Sequence, residues 1–150
     1  MPKKILIIKS SSMGDIVHAL PVAYDIKKHY PDCELSWVVE ESFTDIPKLS
    51  PYVDKLVVTA FRRWRKNIFS SSVRGEILAV RRALAEAKYD IVIDLQGLIR
   101  TAVVARWAGV ESVGYSKENI KEPLAAHFYS RTLPVSNKLV PVVRYRTMAA

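Results

Sequence analysis

Short apolar runs alternate along this 150-residue chain with longer segments of helical character. The first run, residues 5–8, reads Ile-Leu-Ile-Ile, a pattern typical of a parallel strand that helices cover on both faces. Similar runs at residues 35–39, Lys55–Thr59 and 91–95 predict three more strands, and residues 113–115 predict a short fifth. This alternation predicts an α/β fold with a doubly wound, mostly parallel, Rossmann-like sheet and right-handed crossovers.

Helices are predicted in the intervals between these strands. In the clearest, residues 73–88, an apolar stripe recurs at spacings of three and four, and its members are Ile77, Val80, Leu84 and Ala87. A helix after the first strand is expected to end at Tyr30-Pro31. Shorter helices are expected at residues 43–49 (interrupted by Pro47), at 98–108 with Gly109 as the C′ residue, at 123–129 and from 142 onward.

The composition is that of a globular domain with an excess of positive charge. Hydrophobic residues make up 49% of the chain and charged residues 25%, which predicts a single folded domain over residues 1–150. Lysine and arginine outnumber aspartate and glutamate by 23 to 15, a net charge of +8. Such an excess indicates an anionic partner, whether nucleic acid, a membrane surface or a phosphorylated substrate.

Targeting and redox features indicate a cytoplasmic protein. The apolar run after Lys3 and Lys4 is too short for a signal peptide, and no stretch approaches the length of a membrane span. The single cysteine, Cys33, excludes an internal disulfide and is interpreted as a structural thiol. We therefore expect a cytoplasmic location, at most peripheral to a membrane.

Missing motifs disfavour several classes of enzyme. The five glycines form no G-x-G-x-x-G fingerprint near the first strand, and no G-x-x-x-x-G-K-[ST] phosphate loop occurs. The three histidines, His18, His29 and His127, lack the spacing of metal ligands. Dehydrogenases, P-loop enzymes and metalloenzymes are therefore not expected, and neither a cofactor nor a metal is predicted.

The loop after the first strand, Lys9-Ser-Ser-Ser-Met-Gly-Asp15, is the first candidate site. In doubly wound folds, ligands bind beyond the carboxyl ends of the strands, where this loop is expected. Its serines and Gly14 offer hydroxyl and N–H donors and allow a ligand to approach the backbone. Asp15 is either a helix cap or a catalytic base, and its spacing alone favours the cap.

Asp94 and Gln96 follow the fourth strand and are expected at the same edge of the sheet. We interpret Asp94 as a turn or cap residue. Gln96 is either structural or a hydrogen-bonding partner of a polyhydroxyl ligand.

The strongest electrostatic feature is the run Arg62-Arg-Trp-Arg-Lys66 after the third strand. No acidic residue occurs between Asp54 and Glu76, so these cations have no partner nearby in sequence. The run is either a solvated charge cluster or an anion clamp, in which arginines bind phosphate or carboxylate and Trp64 stacks on a ring or lies at a lipid headgroup. We expect a basic loop that is mobile without its anion.

Together these segments resemble the N-terminal half of the ADP-heptose:lipopolysaccharide heptosyltransferases, most closely the heptosyltransferase I members. The matching stretches occur in family order at residues 9–21, 37–41, 62–66, 89–98 and 122–129. The resemblance implies a GT-B fold with two Rossmann-like domains, of which residues 1–150 form the acceptor-binding one. The C-terminal domain that holds ADP-heptose is expected to lie outside this chain, so we expect the chain alone to lack turnover.

The resemblance also implies roles for individual residues. Asp15 matches the general base of an inverting transfer of L-glycero-D-manno-heptose from ADP-heptose to a Kdo sugar of Kdo2-lipid A, in lipopolysaccharide inner-core biosynthesis. The reaction is expected at the cytoplasmic face of the inner membrane. The implied acceptor-binding residues are Ser11, Ser12, Gly14, Arg62, Arg63, Arg65, Lys66, Gln96 and Lys121. Lys121 stands where the closest relatives have an arginine, so a point charge replaces a bidentate donor.

Two alternatives stay open. A basic Rossmann-like module that binds nucleic acid accounts for the +8 charge and the alternation of arginine and tryptophan, although no recognised nucleic-acid motif is present. The second alternative is a heptosyltransferase that acts on a different core acceptor. Residues 139–143, Leu-Val-Pro-Val-Val, depart from the His-containing helix that the family usually has there, so the family's hinge is not predicted for this chain.

Overall fold

A computed structural model describes residues 2–150 and contains a six-stranded sheet in which all neighbouring strands are parallel. The strands are β1 (Lys4–Ile8), β2 (Glu34–Glu40), β3 (Lys55–Thr59), β4 (Ile91–Asp94), β5 (Glu111–Tyr115) and β6 (Arg131–Leu133). Their order in the sheet is β3-β2-β1-β4-β5-β6. The doubly wound α/β fold predicted from the sequence is confirmed.

Six α-helices connect or follow the strands: α1 (Met13–His29), α2 (Asp45–Lys48), α3 (Phe61–Lys66), α4 (Ser71–Glu86), α5 (Ile99–Trp107) and α6 (Pro141–Ala149). Short 3-10 helices cover Glu41–Phe43 and Pro123–Phe128. Gly109 follows the end of α5 with a φ of +68°, which confirms it as the residue that ends this helix. Among residues 2–150, no helix has the length and apolar character needed to cross a membrane.

The core lies on both faces of the sheet around β1. The apolar run of residues 5–8 is buried throughout, because β1 pairs with β2 on one side and β4 on the other. Ile7 stands beside Trp37 of β2 and Ile93 of β4, and all three side chains are buried. Cys33 is buried and free, as expected, and its burial raises the pKa of the thiol.

Two elements differ from the sequence-based prediction. Residues 62–66 were expected in a mobile loop and belong to helix α3 instead. Strand β6 was not predicted, because its three residues lie at the sheet edge and are not an apolar run. It nevertheless pairs with β5 in parallel register, with Gly114 beside Thr132.

The strand order places a binding crevice at the carboxyl ends of β1 and β4. The chain passes from β1 through β2 to β3 on one side and then returns to β4 on the other, so the direction of winding reverses between β1 and β4. The backbone N–H of Leu95 donates to the carbonyl of Ile8 at 2.9 Å, which joins the loops that follow these two strands. Ligands of doubly wound folds bind at such a reversal.

Candidate functional site

Helix α3 is held in place by a carboxylate from the neighbouring strand. Glu40, the last residue of β2, is buried, and its Oε1 accepts hydrogen bonds from the Thr59 hydroxyl at 3.0 Å and the Phe61 N–H at 2.9 Å. Its Oε2 accepts from the Arg62 N–H at 3.1 Å. A carboxylate at a helix N-terminus satisfies donors that the first turn leaves unpaired. This cap explains why the basic run is helical.

Arg63 and Trp64 fasten α3 to α4 and to the end of β2. The Arg63 guanidinium lies 2.7 Å from Glu76 and 3.1 Å from Glu41, and these hydrogen bonds raise its pKa. The Trp64 indole donates to Glu76 at 2.8 Å and is only 5% exposed. Trp64 is therefore a packed residue whose indole N–H is used within the chain, and its role as a platform for a ligand ring or lipid headgroup stays a prediction. Arg63, implied to bind the acceptor, uses its donors within the chain.

The other arginines of α3 line a cavity of about 620 Å³. Its walls are largely apolar and come from α3, the turn after it, α4 and α5, and the apolar lining residues are Phe61, Trp64, Ile68, Ile77, Val103 and Trp107. Arg62, Arg65 and Arg100 line it as well, and within residues 2–150 no carboxylate lies within ion-pair distance of these three. Arginines without carboxylate partners beside apolar walls suit an anionic ligand with an apolar or ring-shaped face.

Two lining residues, Arg100 and Trp107, were not singled out from the sequence. They lie with Val103 at spacings of three and four, which places all three on one face of α5. The Arg100 guanidinium also lies 5.5 Å from the centre of the Phe61 ring. Helix α5 follows β4 at the ligand-binding edge, so the spacing of these three residues was a signal from which they could have been identified. Within the described part of the chain, no three potential ligands gather into a metal site.

Asp15 lies in the first turn of α1 and is partly exposed. The N-cap residue of α1 is Ser12, and its backbone N–H donates to Oδ2 of Asp15 at 3.4 Å. This contact is the returning half of a capping box, so the structure gives Asp15 a supporting role at the helix start without making it the N-cap. Because the bond is long and uses one oxygen, the carboxylate keeps acceptor capacity for a ligand.

Gln96 connects the loops after β1 and β4. Its Oε1 accepts from the Ser11 N–H at 3.4 Å, and its Nε2 lies 3.3 Å from the Ser11 hydroxyl. Gln96 therefore positions Ser11, which lines the cavity with Ser10 and Glu40. Of the predicted acceptor residues, Ser11, Arg62 and Arg65 meet at this cavity. Those outside its lining are Ser12, Gly14, Arg63, Lys66, Gln96 and Lys121, and the same holds for Asp15.

Asp94 is a structural residue, as interpreted from the sequence. It is buried and accepts hydrogen bonds from the Tyr129 hydroxyl at 2.5 Å, the Thr101 hydroxyl at 2.8 Å and the Gln96 N–H at 2.8 Å. Burial raises the pKa of Asp94. The hydrogen bonds fix the turn that carries Gln96.

Lys9 directly follows β1 and is a buried cation to which the sequence analysis gave no role of its own within the candidate loop. It is 4% exposed, and its Nζ lies 5.1 Å from the centre of the Tyr145 ring. Burial lowers the pKa of Lys9 to about 8, and the charges of Asp15 and Asp94 oppose that shift. Lys9 thus brings a positive charge into the electrostatic surroundings of both carboxylates.

The amine of Lys9 is expected to titrate near pH 8. Its titration is measured by 13C NMR of the methylated protein, and the Lys9→Arg variant identifies the resonance of Lys9. Because the folded-state pKa lies below the ordinary value of 10.5, the folded protein binds fewer protons than the unfolded chain between about pH 8 and 10.5. The contribution of Lys9 to the free energy of unfolding therefore increases with pH across that window. The Lys9→Met variant is expected to lack this increase. A midpoint above pH 10 contradicts the prediction.

Comparisons with known proteins find relatives over almost the whole chain. The profile of glycosyltransferase family 9 (heptosyltransferase) matches residues 77–150. Lipopolysaccharide heptosyltransferase 1 of Pseudomonas aeruginosa is 39% identical over 148 residues, and that of Escherichia coli K12 is 40% identical over 148 residues. The alignments cover 98% of this chain but 42% and 46% of the two relatives. The chain therefore spans about half the length of the curated relatives it matches.

Solved structures show the same relationship. E. coli heptosyltransferase WaaC with ADP-2-deoxy-2-fluoro heptose superimposes with a TM-score of 0.93 at 39% identity, over 98% of this chain and 47% of that one. E. coli ADP-heptose lps heptosyltransferase II superimposes with a TM-score of 0.75 at 18% identity, over 98% of this chain and 40% of that one. The second similarity shows a shared fold.

Proposed function

The chain is a homologue of the heptosyltransferases of glycosyltransferase family 9, and from this premise we propose that it is the acceptor-binding half of a lipopolysaccharide heptosyltransferase. The proposed reaction transfers L-glycero-D-manno-heptose from ADP-heptose to a Kdo sugar of Kdo2-lipid A, with inversion at the anomeric carbon. Residues 1–150 form the N-terminal domain of a GT-B enzyme in this proposal. A second Rossmann-like domain holds the donor.

The observation that carries the proposal is the set of arginines around the cavity. Arg62, Arg65 and Arg100 face the same space and have no carboxylate partner among residues 2–150. A Kdo sugar carries a carboxylate and lipid A carries phosphates, and guanidinium forks bind both groups in bidentate geometry. The Trp107 ring and its apolar neighbours provide a surface for the carbon face of a sugar.

Asp15 supplies the chemistry in this proposal. Its carboxylate removes the proton of the acceptor hydroxyl while that oxygen attacks the anomeric carbon and the bond to ADP breaks. The hydrogen bond from the Ser12 N–H restricts the orientation of the carboxylate, and Gln96 holds the adjoining Ser11. The support for this assignment is the position of Asp15 at the carboxyl end of β1, where the winding of the sheet reverses.

The proposed site of the reaction is the cytoplasmic face of the inner membrane, where Kdo2-lipid A is anchored by its acyl chains. The support for this location is the net charge of +8, which favours an anionic surface. The proposal includes no metal or other cofactor.

Charge reversal at the cavity tests the proposal on the chain itself. We expect Arg62→Glu and Arg65→Glu each to weaken binding of deacylated Kdo2-lipid A by about tenfold to a hundredfold, because a charge-assisted hydrogen bond is lost and a repulsion is added. Calorimetric titration at two salt concentrations measures the effect, which is smaller at the higher salt. Arg81→Glu, on the exposed side of α4 and outside the cavity, is the matched control and keeps wild-type affinity.

The same titration separates the alternatives. Unchanged affinity in both cavity variants would mean that these arginines are a solvated cluster. Equal affinity for an acceptor without Kdo would favour a different core acceptor. Tight binding of duplex DNA with a steep salt slope, and none of the Kdo compound, would favour the nucleic-acid module.

A further inference from the structure

The turn between α3 and α4, residues 67–70, exposes the most accessible large hydrophobic side chain of residues 2–150. Phe69 is 83% exposed, and its neighbour Ile68 is 46% exposed. Contiguous exposed apolar side chains on a protein surface mark sites of interaction. Here they directly follow the basic residues of α3.

The turn is an ordered support for Phe69. The N–H of Asn67 donates to the carbonyl of Trp64 at 3.1 Å, and the N–H of Ser70 donates to the carbonyl of Asn67 at 2.9 Å. On one side the turn continues α3, which Glu40 caps, and on the other it leads into α4 at Ser71. These hydrogen bonds therefore fix the backbone of the turn that presents the exposed ring.

Cations flank this apolar tip along the chain. Arg65 and Lys66 precede the turn and Arg74 follows it, and all three are exposed. The Arg74 guanidinium lies 5.9 Å from the centre of the Phe69 ring. Within residues 2–150 none of the three cations lies within ion-pair distance of a carboxylate, and the nearby Glu76 is engaged by Arg63. An aromatic tip flanked by unpaired cations is complementary to a surface with anionic headgroups above an apolar layer.

We propose that residues 67–70, with Phe69 at the tip, are the segment by which this chain inserts into an anionic lipid surface. The phenyl ring enters the boundary between headgroups and acyl chains, and Lys66 and Arg74 contact lipid phosphates. This inference builds on the proposed function, which places the acceptor in a membrane.

The position of the turn supports this occupant. Since α3 follows the carboxyl end of β3 and α4 then runs back toward the start of β4, the turn lies at the ligand-binding edge of the sheet. Ile68 also lines the arginine cavity, so the cavity adjoins the proposed membrane contact. An acceptor anchored in the bilayer thereby reaches the cavity without leaving the lipid. A second copy of the chain is disfavoured, because one four-residue turn is far smaller than the roughly 800 Å² per partner of a stable interface.

Flotation of the full chain with vesicles of phosphatidylethanolamine and phosphatidylglycerol, free of lipopolysaccharide, tests the proposal. We expect Phe69→Ser to weaken vesicle binding by about tenfold, because burial of the phenyl ring is lost. Leu49→Ser is the control: Leu49 is 72% exposed and follows α2, outside the turn of residues 67–70, so we expect its loss to leave binding unchanged. In Phe69→Trp, brominated lipids are expected to quench the added emission.

Three outcomes would overturn the proposal: equal vesicle binding by Phe69→Ser and wild type, no preference for anionic over phosphatidylcholine vesicles, or a Phe69-dependent dimer in place of vesicle binding. Because the vesicles contain neither acceptor nor donor, these outcomes leave the proposed heptosyltransferase function standing. Conversely, a failure of the deacylated acceptor to bind leaves the vesicle result unaffected.

Discussion

Replacing Gly114 with alanine is expected to lower the free energy of unfolding by about 2–4 kcal/mol or to prevent folding. Gly114 lies in β5, and a Cβ atom there would overlap the ring of Tyr129. The strand cannot retreat without breaking its pairing with β4 and β6. The ring cannot retreat without losing the hydrogen bond from its hydroxyl to Asp94.

The effect extends from Gly114 to the candidate site through Asp94. This carboxylate is buried, so the loss of the Tyr129 donor leaves an acceptor without its partner where water does not replace it. Asp94 also fixes the turn that carries Gln96, and Gln96 holds Ser11. A packing change at β5 is therefore expected to loosen the loop that leads to Asp15.

Gly75→Ala is the matched control for this variant. Gly75 lies within α4, and a Cβ atom there meets no other atom within 4 Å. Alanine removes backbone freedom from the unfolded chain without a clash, so we expect a gain of about 0.5–1 kcal/mol. Urea unfolding followed by circular dichroism measures both variants. A stability within about 0.5 kcal/mol of wild type for Gly114→Ala would contradict the predicted overlap.

The architecture was predictable because its determinants are local in sequence. Continuous apolar runs indicated β1 to β5, and their alternation with helices indicated a parallel sheet. Helix α3 was not predictable in the same way, because its cap, Glu40, lies about twenty residues earlier and meets it only across the sheet. Arg63 shows the same limit. Its run has no nearby acid in sequence, yet folding places Glu41 and Glu76 beside it.

The place of the candidate site and part of its lining were also predictable, whereas the rest of the lining was not. The carboxyl ends of parallel strands share one edge, so the Ser10–Asp15 loop and Gln96 had to lie near each other. The burial of Lys9 and the arrival of Arg100 from α5 depend on how the helices pack on the sheet. Gln96 illustrates the difference, since the residue was found at the expected edge but its amide contacts Ser11.

In an enzyme that carries this chain together with a donor-binding domain, Asp15→Asn is expected to lower kcat by about a hundredfold to ten-thousandfold. The amide has the same shape as the carboxylate and retains a carbonyl oxygen for the Ser12 N–H, but it does not take up the proton of the acceptor hydroxyl. Affinity for the deacylated acceptor is expected to stay at the wild-type value. A fall in kcat with constant acceptor affinity identifies an interaction that is made in the transition state.

Measuring turnover and stability together separates the two interpretations of Asp15. If the residue only supports the start of α1, its replacement costs at most about 1 kcal/mol of stability and leaves kcat near the wild-type value. Asp25→Asn provides the comparison in the same helix, because Asp25 is held by Arg146 away from the site and its loss is expected to spare turnover. Near-normal kcat in Asp15→Asn would refute the base assignment. The first turn of α1 has no other carboxylate that could take over the proton transfer.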